Sequence, residues 1–98
     1  MIKFEWDENK NLINQEAHGV SFQESVSVFY DDDALLLYDP DHSDYEDRFI
    51  IIGLSFKANM LVVCHCCRED NIIRIISSRK ATKNEKAKYI ERLTIKKQ

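Results

Sequence analysis

The sequence predicts a small α+β domain on a mostly antiparallel sheet, in the order β-α-α-β-β-β-β-α. Three observations carry this. Four runs, at residues 34–38, 48–56, 60–67 and 72–78, have strand length and are rich in Ile, Val, Leu and Phe. Connections as short as Lys57-Ala58-Asn59 and Glu69-Asp70-Asn71 allow hairpins but not parallel crossovers. Helical patterns opened by capping boxes flank these strands on both sides. The 98 residues, 44% apolar and 32% charged with two glycines and one proline, suit one folded domain over residues 1–98 rather than a disordered chain.

Each element has a local reason. Ile2-Lys3-Phe4-Glu5-Trp6 alternates apolar and polar residues with strand period. Asp7 follows as an N-cap candidate for a polar helix from residue 8 to about 17, with Leu12 and Ile13 as its only aliphatic anchors. Gly19 stands where a left-handed C-terminal cap is expected. Ser21-Phe22-Gln23-Glu24 is a capping box, in which the serine hydroxyl accepts an early backbone N–H and the glutamate reaches back to the cap. It starts a second short helix with Phe22, Val26 and Phe29 or Tyr30 on its buried side, and Asp31-Asp32-Asp33 ends it. In the strands at 60–67 and 72–78 apolar residues occupy both parities, so helices are expected on both faces of the sheet. Thr82-Lys83-Asn84-Glu85 opens the last helix, whose apolar members are Ala81, Ala87, Tyr89, Ile90 and Leu93.

The net charge of −3 conceals two opposed parts. Residues 1–49 carry −10 and the remainder +7, with nine bases beyond Asn71 facing only Glu85 and Glu91. Charge alone fits two readings: a polyanionic partner, or acidic loops that neutralise the basic tail. The longest apolar runs, such as residues 49–54, are too short to cross a bilayer, and no leader pattern opens the chain. The expectation is a cytoplasmic protein without a membrane partner.

Cys64-His65-Cys66-Cys67 has the two-residue spacing of zinc knuckles, but in a strand Cys64 and Cys67 point to opposite faces. Cys64 and Cys66 share a face at about 6.7 Å, which suits neither a thiolate pair nor an unstrained disulfide. Reduced core thiols and no metal are therefore expected. The loop Asp39-Pro40-Asp41-His42-Ser43-Asp44 lacks the glycine and terminal acid of a calcium hand and reads as a solvated turn. A two-residue hairpin turn at Glu69-Asp70 would set His65 opposite Arg74 on one face. Beyond that strand, Arg79 and Lys80 meet a helix N-terminus capped by Thr82, a combination suited to phosphate. Such a cluster suits RNA: cleavage through the 2′-hydroxyl needs a base, an acid for the departing 5′-oxygen and fixed positive charge. His18 ends the first helix, where a cation also favours the macrodipole.

These residues resemble a known family. Phe4-Glu5-Trp6-Asp7, Lys10, Asn14, His18-Gly19-Val20-Ser21-Phe22, Glu46-Asp47-Arg48, Gly53, residues 74–81 (Arg-Ile-Ile-Ser-Ser-Arg-Lys-Ala), Glu85 and Tyr89 look like the BrnT family of bacterial type II toxins, over roughly residues 2–90. The chain departs from the family's pattern at Ala17, where lysine is usual, and at Ser78, where alanine is usual. The resemblance implies a RelE-like fold and a cytoplasmic endoribonuclease that inhibits translation. It also implies a BrnA-type ribbon-helix-helix antitoxin that neutralises the toxin in a hetero-oligomer and contacts operator DNA for both, repressing their operon.

On chemical grounds Arg74 and Arg79 are the expected phosphate binders, Arg48 a further cation, and His18 or His65 the general acid or base, with no metal or other cofactor. Trp6, Lys80 and Lys83 are the expected RNA contacts. The competing readings are an inactive toxin relative serving as corepressor, and a metal-dependent nuclease using residues 39–44.

Overall fold

The computed structural model describes residues 1–96. The elements are β1 (Lys3–Glu5), α1 (Glu8–His18), α2 (Phe22–Val28), β2 (Leu35–Tyr38), β3 (Arg48–Leu54), β4 (Met60–Arg68), β5 (Ile72–Lys80) and α3 (Lys83–Lys96). Short 3-10 turns occupy Pro40–His42 and Glu69–Asn71. The five strands lie in the order β1-β5-β4-β3-β2. Three pairings are antiparallel hairpin neighbours, while β1 runs parallel to β5, so the sheet is mixed. The long excursion through α1, α2 and three strands is what allows a parallel return.

Helices cover both faces, as the double apolar parity of the strands requires. On one face α1, α2 and the segment between them enclose Val20, Phe22, Val28, Ile51, Leu61, Val63 and Ile75. On the other, α3 lays Tyr89 and Leu93 over Ile52 and Val62. Gly53 lets α2 approach β3: a Cβ there would stand 2.9 Å from Val28 Cγ1. The caps follow the sequence in part. Asp7 accepts from the N–H groups of Asn9 and Lys10, and Gly19 adopts φ +68°. Ser21 accepts from Glu24 N, but the Glu24 carboxylate turns away to accept from Ser55 Oγ at 2.6 Å and Asn59 Nδ2 at 2.9 Å, so only half of that box forms. At Thr82 both halves form.

Three expectations are corrected. The first concerns α1, where Leu12 and Ile13 are exposed and the buried residues are Asn11 and Asn14. The cause is the shortness of β1, whose pairing with β5 stops at Arg74 and leaves the rest of that strand edge open. Asn14 takes the place of a strand there: its amide donates to Ser78 O and Val20 O, and its carbonyl accepts from Ser78 N. Asn11 likewise accepts from Phe22 N. A buried strand edge demands polar partners, so the amides go inward and the aliphatic side chains stay out.

The second concerns the β4–β5 hairpin. Its turn has three residues, with Asp70 and Asn71 both left-handed at φ +62° and +61°, a conformation their short polar side chains tolerate. Arg68 therefore pairs with Ile72, Cys66 with Arg74, and His65 with Ile75. That one-residue slip puts Arg74 and His65 on opposite faces. A bulge follows, because Cys64 pairs with Ser77 and leaves Ile76 as the extra residue. The buried side of α2 also differs in detail: Val28 is fully buried and Tyr30 is 71% exposed.

The charge asymmetry resolves into two sets. Arg92 donates to the carbonyls of Asp33 and Ala34, and Lys96 pairs with Asp33 at 3.3 Å, so part of the basic tail is spent on the acidic turn after α2. Lys80, Lys83, Lys86 and Lys88 make no ion pair among the described residues. Lys97 lies outside them.

Candidate functional site

Beyond the reach of α3, the same sheet face opens into a cleft of about 400 Å³. Its floor is Ile50, Val62, Cys64, Ile76 and Ser77, contributed by β3, β4 and the bulged part of β5. Around it stand His18, Arg48 and Arg79, together with Asp39 and His42. Residues 18, 48 and 79 meet because the Asn14 amide clamps the end of α1 to β5, and because Arg48 opens β3 two strands away.

Arg79 is oriented by Glu85, to which both terminal nitrogens donate, at 2.7 and 2.9 Å. The Arg79 guanidinium holds the Glu85 carboxyl down at about 2, with help from the Thr82 N–H and against the opposing effect of burial. Glu85 in turn raises the Arg79 pKa. Glu85 is thus both the capping residue of α3 and the partner of the cleft's arginine. Arg48 lies 3.7 Å from Glu46, and its Nε is buried without a hydrogen-bond partner. Ser78 Oγ, which shares the opposite sheet face with Val63, is likewise buried and unpartnered. Burial pushes the Cys64 thiol on the floor above its ordinary pKa. Cys64, Cys66 and Cys67 are all free thiols, and no three His, Cys, Asp or Glu side chains gather as a metal site among the described residues.

The other expected site residues lie elsewhere. His65 is 2% exposed in the core facing α2, its ring edge-on to Phe29 at 4.8 Å and stacked with Phe49 at 6.1 Å. Its Nδ1 donates to Val63 O, and burial lowers its pKa below 6.5. Arg74 forms a cross-strand ion pair with Glu5 and does not line the cleft. Trp6 packs edge-on against Phe22 and donates its indole N–H to Glu8 at 3.0 Å, leaving the ring only partly exposed. Lys80 and Lys83 are exposed next to the Arg79 end of β5.

Asp39 and His42 were not expected in the cleft. The 39–48 loop is built rather than loose: Asp39 N donates to Arg48 O, and Arg48 N donates to Ser43 Oγ. Pro40 starts the 3-10 turn that brings His42 Nδ1 within 2.9 Å of Asp39 Oδ2. Proline after an aspartate, with histidine at the third place from that aspartate, was the available signal.

Residues 6–85 match the family described as "Ribonuclease toxin, BrnT, of type II toxin-antitoxin system". Among solved structures, the 1.1 Å crystal structure of the Brucella abortus ribonuclease toxin, BrnT, is similar with a TM-score of 0.58 and 23% sequence identity, over 85% of this chain and 100% of that one. That likeness concerns the fold. No curated protein sequence gives a significant match. Among the described residues, no helix is long and apolar enough to cross a membrane.

Proposed function

Because the chain belongs to the BrnT family of ribonuclease toxins of type II toxin–antitoxin systems, we propose that the cleft is its RNA-cleaving site. The single observation that carries this reading is the convergence of His18, Arg48 and Arg79, from three separate elements, around one cleft. The arginines bind the scissile phosphate and stabilise the charge that develops on it. His18 moves a proton at the reacting oxygens. The exposed lysines Lys80 and Lys83 extend positive charge from the cleft along the RNA backbone. Attack of the 2′-oxygen forms a bond to phosphorus and breaks the bond to the 5′-oxygen, giving a 2′,3′-cyclic phosphate and a 5′-hydroxyl. The proton lost by the 2′-hydroxyl is balanced by the one gained at the 5′-oxygen, so this chemistry runs without a metal ion.

In the cell this activity inhibits translation and is held in check by a BrnA-type ribbon-helix-helix antitoxin, the pair repressing their operon through the antitoxin's DNA contacts. The RelE-like description of the fold belongs to the same reading. The expected result is that purified protein cleaves RNA in EDTA and that Arg79→Ala lowers the rate by at least about 100-fold, the scale set by loss of one charge-stabilising group. Undiminished cleavage by that variant would remove Arg79 from the mechanism. One observation favours a second reading, that of an inactive corepressor: both terminal nitrogens of Arg79 are already engaged by Glu85. Growth that continues after induced expression in a bacterial host would support it.

A further inference from the structure

Cleavage of the kind just described needs two proton transfers, one from the 2′-hydroxyl and one to the 5′-oxygen, and His18 accounts for one of them. The cleft holds a second imidazole. His42 lines it together with His18, Arg48 and Arg79, and reaches it from a different segment of chain. Its Nδ1 donates to Asp39 Oδ2 at 2.9 Å, which fixes the ring and leaves Nε2 as the nitrogen free to exchange a proton. The Asp39 side chain is 18% exposed and that of His42 is 67% exposed, so a sheltered carboxylate holds an imidazole that solvent and substrate can reach. The Asp39–Arg48 backbone bond and the Ser43 hydroxyl lock the loop that carries both groups. A histidine oriented by a carboxylate beside phosphate-binding cations is an arrangement for general acid–base work.

We infer that His42 is a catalytic residue of this site, making one of the two proton transfers while His18 makes the other, and that Asp39 is its positioning residue. The inference rests on the reading of the cleft as the RNA-cleaving site. The groups around the ring are accounted for: Asp39, Asp41, Asp44 and Glu46 on its own loop, Arg48 beside them, and His18 and Arg79 across the cleft.

The test is the pH dependence of RNA cleavage by the full chain, in EDTA, for the parent, His42→Gln and Asp39→Asn, with Arg79→Ala alongside and thermal melts to verify folding. The parent should give a bell-shaped profile. His42→Gln should lower the maximal rate by about 100-fold or more and abolish one limb of the bell. Asp39→Asn should lower the rate less, by about 10-fold, and should cost nothing further when combined with His42→Gln, because a positioning residue acts only through the ring it holds. A purely structural role for Asp39 would lower the rate of His42→Gln by that same factor. If Arg79→Ala is inactive but folded His42→Gln retains both limbs and cleaves within about threefold of the parent, His42 is not catalytic and the cleft reading stands. If the parent does not cleave RNA, or Arg79→Ala cleaves as well as the parent, the cleft reading falls and takes the role of His42 with it.

Discussion

Replacing Glu85 by glutamine separates the charge of the Arg79 partner from its capping role, since glutamine keeps an oxygen for the Thr82 N–H. The Glu85 carboxyl is drawn from its ordinary 4.5 to about 2, chiefly by the Arg79 guanidinium. A displacement of that size corresponds to about 3 kcal/mol in favour of the charged carboxylate in the folded chain. The Arg79 side chain is 43% exposed, so solvent screening reduces the pair's contribution to about 1–2 kcal/mol. In a domain of this size each kcal/mol moves the midpoint by about 4–8 °C, so Glu85→Gln should melt about 5–10 °C below the parent at pH 7. The folded carboxyl titrates below the unfolded one, so this stability is complete above pH 4.5 and disappears as pH falls through about 2. Less than roughly half of the gap should therefore survive at pH 3. Circular dichroism melts of both proteins at pH 7, 5 and 3 measure it. Equal melting at pH 7, or a gap of unchanged size at pH 3, would refute the assignment of the stability to this ion pair.

Two further outcomes follow from buried polar groups. Ser78→Ala removes a hydroxyl that is buried without a partner, and should raise stability by about 1 kcal/mol in urea denaturation; a loss of stability would mean the hydroxyl is satisfied. His65 has its pKa lowered by burial, so the unfolded chain binds its proton more readily and stability declines as pH drops below 6.5. His65→Phe, which preserves the aromatic contacts with Phe29 and Phe49, should flatten that decline between pH 6.5 and 5. Loss of RNA cleavage by the folded variant would return His65 to the mechanism.

What could be read in advance was whatever depends on local pattern. Valines and isoleucines on both parities of the strands announced two helical layers, and Thr82 with Glu85 announced the start of α3. What escaped reading depends on partners distant in sequence. Leu12 and Ile13 looked like anchors because nothing local reveals that β1 stops at Glu5 and leaves a strand edge for Asn14. The hairpin register turned on Asp70 and Asn71 both accepting a left-handed backbone, a choice between a two- and a three-residue turn that composition does not make. In the site, His18, Arg48 and Arg79 were legible through their chemistry and family pattern. His42 was not, because its neighbours Asp41 and Asp44 made the loop look merely solvated and only the 3-10 turn aims it at the cleft.

The parallel ladder between Lys3–Glu5 and Ile72–Arg74 ties the order of synthesis to the order of assembly. A nascent chain emerging from the ribosome presents α1 long before β5 exists, and until Ser78 arrives Asn14 has no strand backbone to clasp. His18 and Arg79 thus cannot face each other in any shorter intermediate. The two ends of the domain close over contacts of long sequence separation. A chain terminated before residue 72 lacks Ile76, Ser77 and Arg79 and so cannot form the cleft.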